Sequence, residues 1–148
     1  MPASSCTAPS TSSKNIFCYH NTVWGDFDAA VASHTWGRGS IENVVFKNNH
    51  AQGTGFRATA IGGVTASHNR EQVPAEDFAH VPDSNFRLIE TARESIDQGA
   101  VIEGINDAGS ASPYAGDAPD LGAYEYNGED WTAGSTVTPP EFPEPSGT

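Results

Sequence analysis

Asn15-Ile16-Phe17-Cys18-Tyr19-His20-Asn21-Thr22-Val23-Trp24-Gly25 aligns without a gap to Asn43-Val44-Val45-Phe46-Lys47-Asn48-Asn49-His50-Ala51-Gln52-Gly53, at an offset of 28 residues. Asn15 falls on Asn43, Asn21 on Asn49 and Gly25 on Gly53. A weaker copy follows at Gly63-Val64-Thr65-Ala66-Ser67-His68-Asn69, with Asn69 placed 20 residues after Asn49. Internal periods of roughly 20–50 residues are the mark of solenoids and propellers.

The content of the repeat selects among them. Each copy holds a short β-branched or aromatic strand: Ile16–Cys18, Val44–Phe46 and Val64–Ala66. Each strand runs into a turn that carries Asn, and no amphipathic helical stretch separates the copies. Helical repeats are therefore disfavoured. Short strands joined by turns, several to a coil, predict an all-β parallel β-helix. Asn21, Asn49 and Asn69 would stack as a ladder, each tolerating a left-handed backbone and bonding the Asn of the next coil. The strands Thr22–Trp24 and His50–Gln52 would follow that turn. The excursions Asp26–Ser40 and Thr54–Gly62 would be loops or further strands of each coil. Pro74 and Pro82 mark an irregular connection, with a short helical turn expected at Ala75–Phe78.

Composition sets the boundaries. Residues 1–14 form a Ser/Thr/Pro-rich arm, 15–131 the repeat domain, and 132–148 a Pro-rich tail. No run is apolar enough to span a bilayer. Met1–Cys6 shows no charged-then-apolar leader. The net charge is −12 over 148 residues, and it is lopsided. Residues 75–148 hold fifteen carboxylates against Arg87 and Arg93 alone. That half repels nucleic acid and anionic membrane surfaces. It would attract Ca²⁺, or simply keep the chain soluble. The two cysteines, Cys6 and Cys18, would either bridge the arm to the first strand or remain unrelated thiols.

Three later motifs carry a family resemblance: Asn85-Phe86-Arg87-Leu88, Ile96-Asp97-Gln98-Gly99 and Asp120-Leu121-Gly122-Ala123-Tyr124-Glu125-Tyr126. In this order they resemble the closing elements of bacterial secreted right-handed β-helix repeat proteins of the pectate-lyase-like superfamily. The resemblance covers roughly residues 15–131. It implies the C-terminal coils of a right-handed parallel β-helix with a C-terminal cap, an extracellular setting and a polysaccharide partner. Under it, Phe86, Leu88 and Ile96 would fill the last coil. Gly99 and Gly122 would permit close backbone approach, and Asp97 and Asp120 would bond backbone amides. Leu121, Tyr124 and Tyr126 would pack on the end of the solenoid. The first coil would leave a strand edge open at Asn15–Tyr19, over which the N-terminal arm would fold or to which a second copy or upstream coils would dock.

Polysaccharide chemistry asks for particular residues. A lyase needs a base and a positive charge, and Lys47 with Arg38 or Arg57 are the candidates. A hydrolase needs two carboxylates across the sugar bond, for which Asp26, Asp28 and Glu42 qualify by type. Recognition alone needs exposed aromatic faces with polar neighbours, which Tyr19, Trp24, Trp36 and Arg38 would supply. Trp24 would equally serve as core. His20, Asn48 and His68 share one register, and a turn-stabilising role suits them better than shared metal ligation. No regular Thr array of the ice-binding kind is present. The expected function is recognition of an extended glycan, with or without cleavage. A non-catalytic capping module of a larger surface protein is the alternative.

Overall fold

A computed structural model describes residues 12–25, 31–33, 40–53, 55–58 and 64–128. Its strands, in chain order, are β1 (Ser12–Tyr19), β2 (Thr22–Val23), β3 (Val31–Ser33), β4 (Ser40–Lys47), β5 (His50–Ala51), β6 (Phe56–Ala58), β7 (Val64–Ser67), β8 (Phe78–His80) and β9 (Asn85–Leu88). Single 3-10 turns lie at Ala75–Asp77 and Val81–Asp83. The described residues are thus all-β in class, and no helix among them is long and apolar enough to cross a membrane.

The repeat fixes the pairing. Strands β1, β4 and β7 form one parallel sheet in that order. Ile16 sits beside Val44, and Val44 beside Val64. Strand β2 pairs parallel with β5, and His50 bridges onward to Arg70 in the same sense. Strand β3 pairs parallel with β6. Equivalent positions of successive repeats therefore lie side by side, which is what a shared register dictates.

The Asn residues lock this stacking. Asn21 donates its backbone N–H (3.0 Å) and Nδ2 (2.8 Å) to Asn49 Oδ1. Asn49 repeats the pattern onto Asn69 Oδ1, at 3.1 and 2.7 Å. The second amide hydrogen of each inner rung reaches a strand carbonyl of the preceding repeat: Asn49 to Cys18 O, Asn69 to Phe46 O. The left-handed residue is not the ladder Asn itself but the one before it. His20, Asn48 and His68 have φ of 51°, 58° and 51°. The turn thus splits the two tasks between adjacent residues. Asn15 and Asn43 form a second rung, Asn43 Nδ2 donating to Asn15 Oδ1 at 2.6 Å, and both are left-handed too.

Two apolar clusters follow. Ile41, Val44 and Phe46 are buried inside the parallel sheets, with Ile16, Cys18 and Phe56 against them. Cys18 carries a free thiol packed against this cluster, and Cys6, the partner weighed for it, lies outside the described residues. The second cluster holds Val73, Phe78, Leu88 and Ala92, with Trp24, Phe86, Ile96 and Tyr126 against it. Here β8 and β9 pair antiparallel, ending the parallel pattern.

The closing segment folds back onto the Asn48 turn. Asn48 Oδ1 accepts from Ala100 N–H (2.8 Å), its Nδ2 donates to Ala100 O (2.7 Å), and its carbonyl accepts from Gly122 N–H (2.8 Å). Gly122 has φ +92°, and a Cβ there would stand 2.5 Å from His50 Nδ1. A Cβ at Gly99 would stand 2.7 Å from the Pro119 carbonyl.

Asn49 is fully buried, and Asn21 is the exposed end of the ladder. Asn49→Ala strands donors and acceptors on both neighbours, so a loss of roughly 3 kcal/mol is expected, against about 1 kcal/mol for Asn21→Ala. Urea unfolding of both variants reads the difference. Equal losses would contradict the ladder's role.

Candidate functional site

Strand alternation sorts the main sheet into two faces. Val44 and Phe46 are fully buried, so their strand neighbours Val45 and Lys47 face outward. By register, Phe17 and Thr65 flank Val45, and Tyr19 and Ser67 flank Lys47. Phe17 is 53% exposed, unusual for a large apolar residue in a strand. It stacks on Tyr19 with ring centroids 5.7 Å apart and planes 24° apart. The result is a short aromatic platform beside one ammonium group. Among the described residues Lys47 forms no ion pair, whereas Lys14 is taken up by Glu42 at 2.8 Å.

The structure therefore joins two of the residues singled out from sequence, Tyr19 and Lys47, and adds Phe17. The signal for Phe17 was its spacing of two from Tyr19, which places both rings on one face. Glu42 lies five residues from Lys47 on β4, roughly 17 Å along the strand, and shares no site with it. Trp24, weighed both as a sugar-stacking ring and as core, is half-buried against the second cluster, edge-on to Phe78 (5.5 Å) and tilted to Phe86 (5.8 Å). Asp26, Asp28, Trp36 and Arg38 lie outside the described residues.

A second region lies at the closing segment. A cavity of about 730 Å³ is bounded by His20, Asn106, Tyr114, Tyr124 and Glu125 among others. Its polar walls are largely engaged with each other. His20 Nε2 lies 3.0 Å from Asn48 Nδ2 and 2.8 Å from Asn106 Nδ2, while its Nδ1 lies 3.3 Å from Gly122 O. Two amide donors on Nε2 assign the proton to Nδ1, which donates to the carbonyl. Burial lowers the pKa of this imidazole, against the bond to the Gly122 carbonyl. Asp97 Oδ1 accepts the Asp117 and Ala118 amides. Asp120 accepts the amides of Asp97 and Tyr126. Glu125 accepts the Asp120 amide on both oxygens, at 3.1 and 3.2 Å. Burial, reinforced by the Asp120 charge, pushes the Glu125 carboxyl up to about 7. Burial raises Asp120 as well, against the pull of its two amide bonds.

Behind the cavity, His50 Nε2 lies 2.8 Å from Ser95 Oγ, which also accepts from Arg70 at 2.7 Å. Arg70 is paired in turn with Asp77 and Glu94. Burial and the neighbouring Arg70 charge push His50 down to about 3. Ser95 is fully buried, so this Ser–His contact is a packing element, out of substrate's reach. No group of three or more His, Cys, Asp or Glu side chains among the described residues is arranged to hold a metal ion.

No family model, curated protein or solved structure matches the chain.

Glu125 and His50 act in opposite directions. Glu125 keeps its proton up to about 7 when folded, against an ordinary 4.5. Between those values the folded state binds more protons, so this group's contribution to stability falls as pH rises and is level above. His50 has a folded value of about 3 against 6.5, so its contribution falls as pH drops from 6.5 towards 3. Glu125→Gln should therefore gain stability relative to the parent as pH rises from 4.5 to 7. Denaturant unfolding across that range reads it, and a pH-independent difference would contradict the burial of Glu125.

Proposed function

We propose that the chain is the short C-terminal part of a right-handed parallel β-helix that recognises an extended polysaccharide in an extracellular setting. The observation that carries the reading is the outward-facing, mutually stacked pair Phe17–Tyr19 on a three-stranded parallel sheet. Rings so placed match the apolar faces of pyranose units. Lys47 offers a charged donor at the same level. Thr65 and Ser67 add hydroxyls one strand further on.

The β-helix reading is supported by three parallel pairings met in the same chain order in successive repeats. Kinship with the pectate-lyase-like superfamily is supported by the convergence of its three motifs: β9, the Asp97–Asp120 bond and the tight approach of Gly99 to Pro119. The proposed activity is recognition. Of the residues weighed for cleavage, Glu42 is paired with Lys14, and Lys47 has no carboxylate ion-paired to it among the described residues. One observation favours the alternative of a purely structural cap. The closing segment spends Asn48, Asp97, Asp120 and Glu125 on its own backbone.

Sedimentation with a panel of insoluble polysaccharides separates the two. The parent chain is expected to bind at least one, and Phe17→Ala or Tyr19→Ala to weaken it about tenfold, the worth of one stacked ring. Both side chains face outward, so the far-UV spectrum and melting curve serve as the control for folding. Failure to bind any glycan, or unchanged binding in both variants, would sink the proposal.

A further inference from the structure

The N-terminal side of β1 is unfinished in three independent ways. The first is packing. Ile16 and Cys18 point inward beside Val44 and Phe46, yet they are only half-buried while their neighbours are sealed. The second is the backbone. His20 N–H donates to Lys47 O, so by alternation residues 16, 18 and 20 direct their amides to β4. Phe17 and Tyr19 then direct theirs away from it, and β1 pairs with no strand on that side among the described residues. The third is the ladder. The side-chain oxygens of Asn49 and Asn69 each take two donors, while that of Asn21 takes none among the described residues. The second amide hydrogen of Asn21 turns back to its own strand, to Tyr19 O. Asn15 accepts from Asn43, and its own amide hydrogens have no described partner.

These vacancies are self-complementary. The free donor, Asn15, and the free acceptor, Asn21, lie three residues to either side of Cys18. Reversing the strand about Cys18 lays each on the other. A parallel pairing of β1 with the β1 of a second copy fails this test, because the donors of its Asn21 are already spent on Asn49. We infer that two copies of this chain associate through β1, antiparallel, with Cys18 on the two-fold axis.

The register has definite consequences. Phe17 and Tyr19 of one copy face Tyr19 and Phe17 of the other as hydrogen-bonded pairs, exchanging four backbone bonds. Cys18 faces Cys18 as a non-hydrogen-bonded pair, with Cα atoms about 4.5 Å apart. That separation lies inside the roughly 4.4–6.8 Å window a disulfide needs. The inward half-exposed surface of Ile16 and Cys18 is covered by its own equivalent. On the outer face the two aromatic pairs merge into one band across the axis, a cross-strand arrangement that adds to sheet stability. The pairing does not depend on glycan binding.

The test is oxidation of the full-length Cys6→Ser chain with diamide, beside sedimentation velocity on the reduced protein. Each of the two Cys18 thiols gives one hydrogen to the azo bond, leaving a disulfide and the hydrazine. A concentration-dependent dimer and a covalent dimer on a non-reducing gel are expected. The covalent band should vanish in Cys6→Ser/Cys18→Ser. It should stay at background when Ile16→Cys is added to that variant, because residues 16 of the two copies would lie about 14 Å apart along the strands. A monomer at every concentration would overturn the inference and leave the edge to a strand of another chain. Equal crosslinking through positions 16 and 18 would overturn the antiparallel register.

Discussion

The ladder Asn21–Asn49–Asn69 is the interaction on which the rest of the structure depends. Each rung ties a turn to the turn of the next repeat through a backbone amide and a side-chain amide at once. A slip of one residue in either direction breaks both bonds and exchanges the inner and outer faces of the sheet. The ladder thus sets which residues are core. With Asn49 held, Val44 and Phe46 must point inward and Val45 and Lys47 outward. The same turn starts β2 and β5, because the left-handed residue before each Asn redirects the chain. Burial of the Asn49 amide is tolerable because it is satisfied on both sides, by Asn21 and by Asn69.

The closing segment works by the same logic with different parts. At the second repeat's turn, the side chain of Asn48 meets the backbone of Ala100, and its carbonyl meets Gly122. The carboxylates of Asp97, Asp120 and Glu125 then cap amides that no strand pairs. Burial, reinforced by the neighbouring carboxylates, raises Asp120 and Glu125, the latter to about 7. The outer edge of β1 has no such cap among the described residues.

Much of this was legible in the sequence because it is periodic. The 28-residue offset gave the partners of β1 and β4 directly, and the matched Asn21, Asn49 and Asn69 gave the ladder. Gly122 and Gly99 proved to be close-approach positions of the kind the closing motifs suggested. The left-handed turn was displaced by one residue because Asn tolerates that conformation wherever it stands, so composition does not separate Asn48 from Asn49. Trp24 was ambiguous because a β-strand aromatic reads the same on either face until the core side is known. The His50–Ser95–Arg70 contacts span up to 45 residues and leave no local trace. The antiparallel β8–β9 pair hides in a stretch broken by Pro74 and Pro82. For the site, parity alone would have added Phe17 to Tyr19, whereas Asp26, Asp28, Trp36 and Arg38 lie outside the described residues.

The central claim is that repeats stack in parallel with Asn as the lock. Amide NMR in solution tests it most directly, through cross-strand contacts and hydrogen exchange together. Inter-strand contacts linking Cys18 to Phe46 and Phe46 to Ala66 are expected, with slow exchange at the Asn49 amide, which bonds a side-chain oxygen rather than a strand carbonyl. Antiparallel contacts between these strands, or free exchange at Asn49, would contradict it.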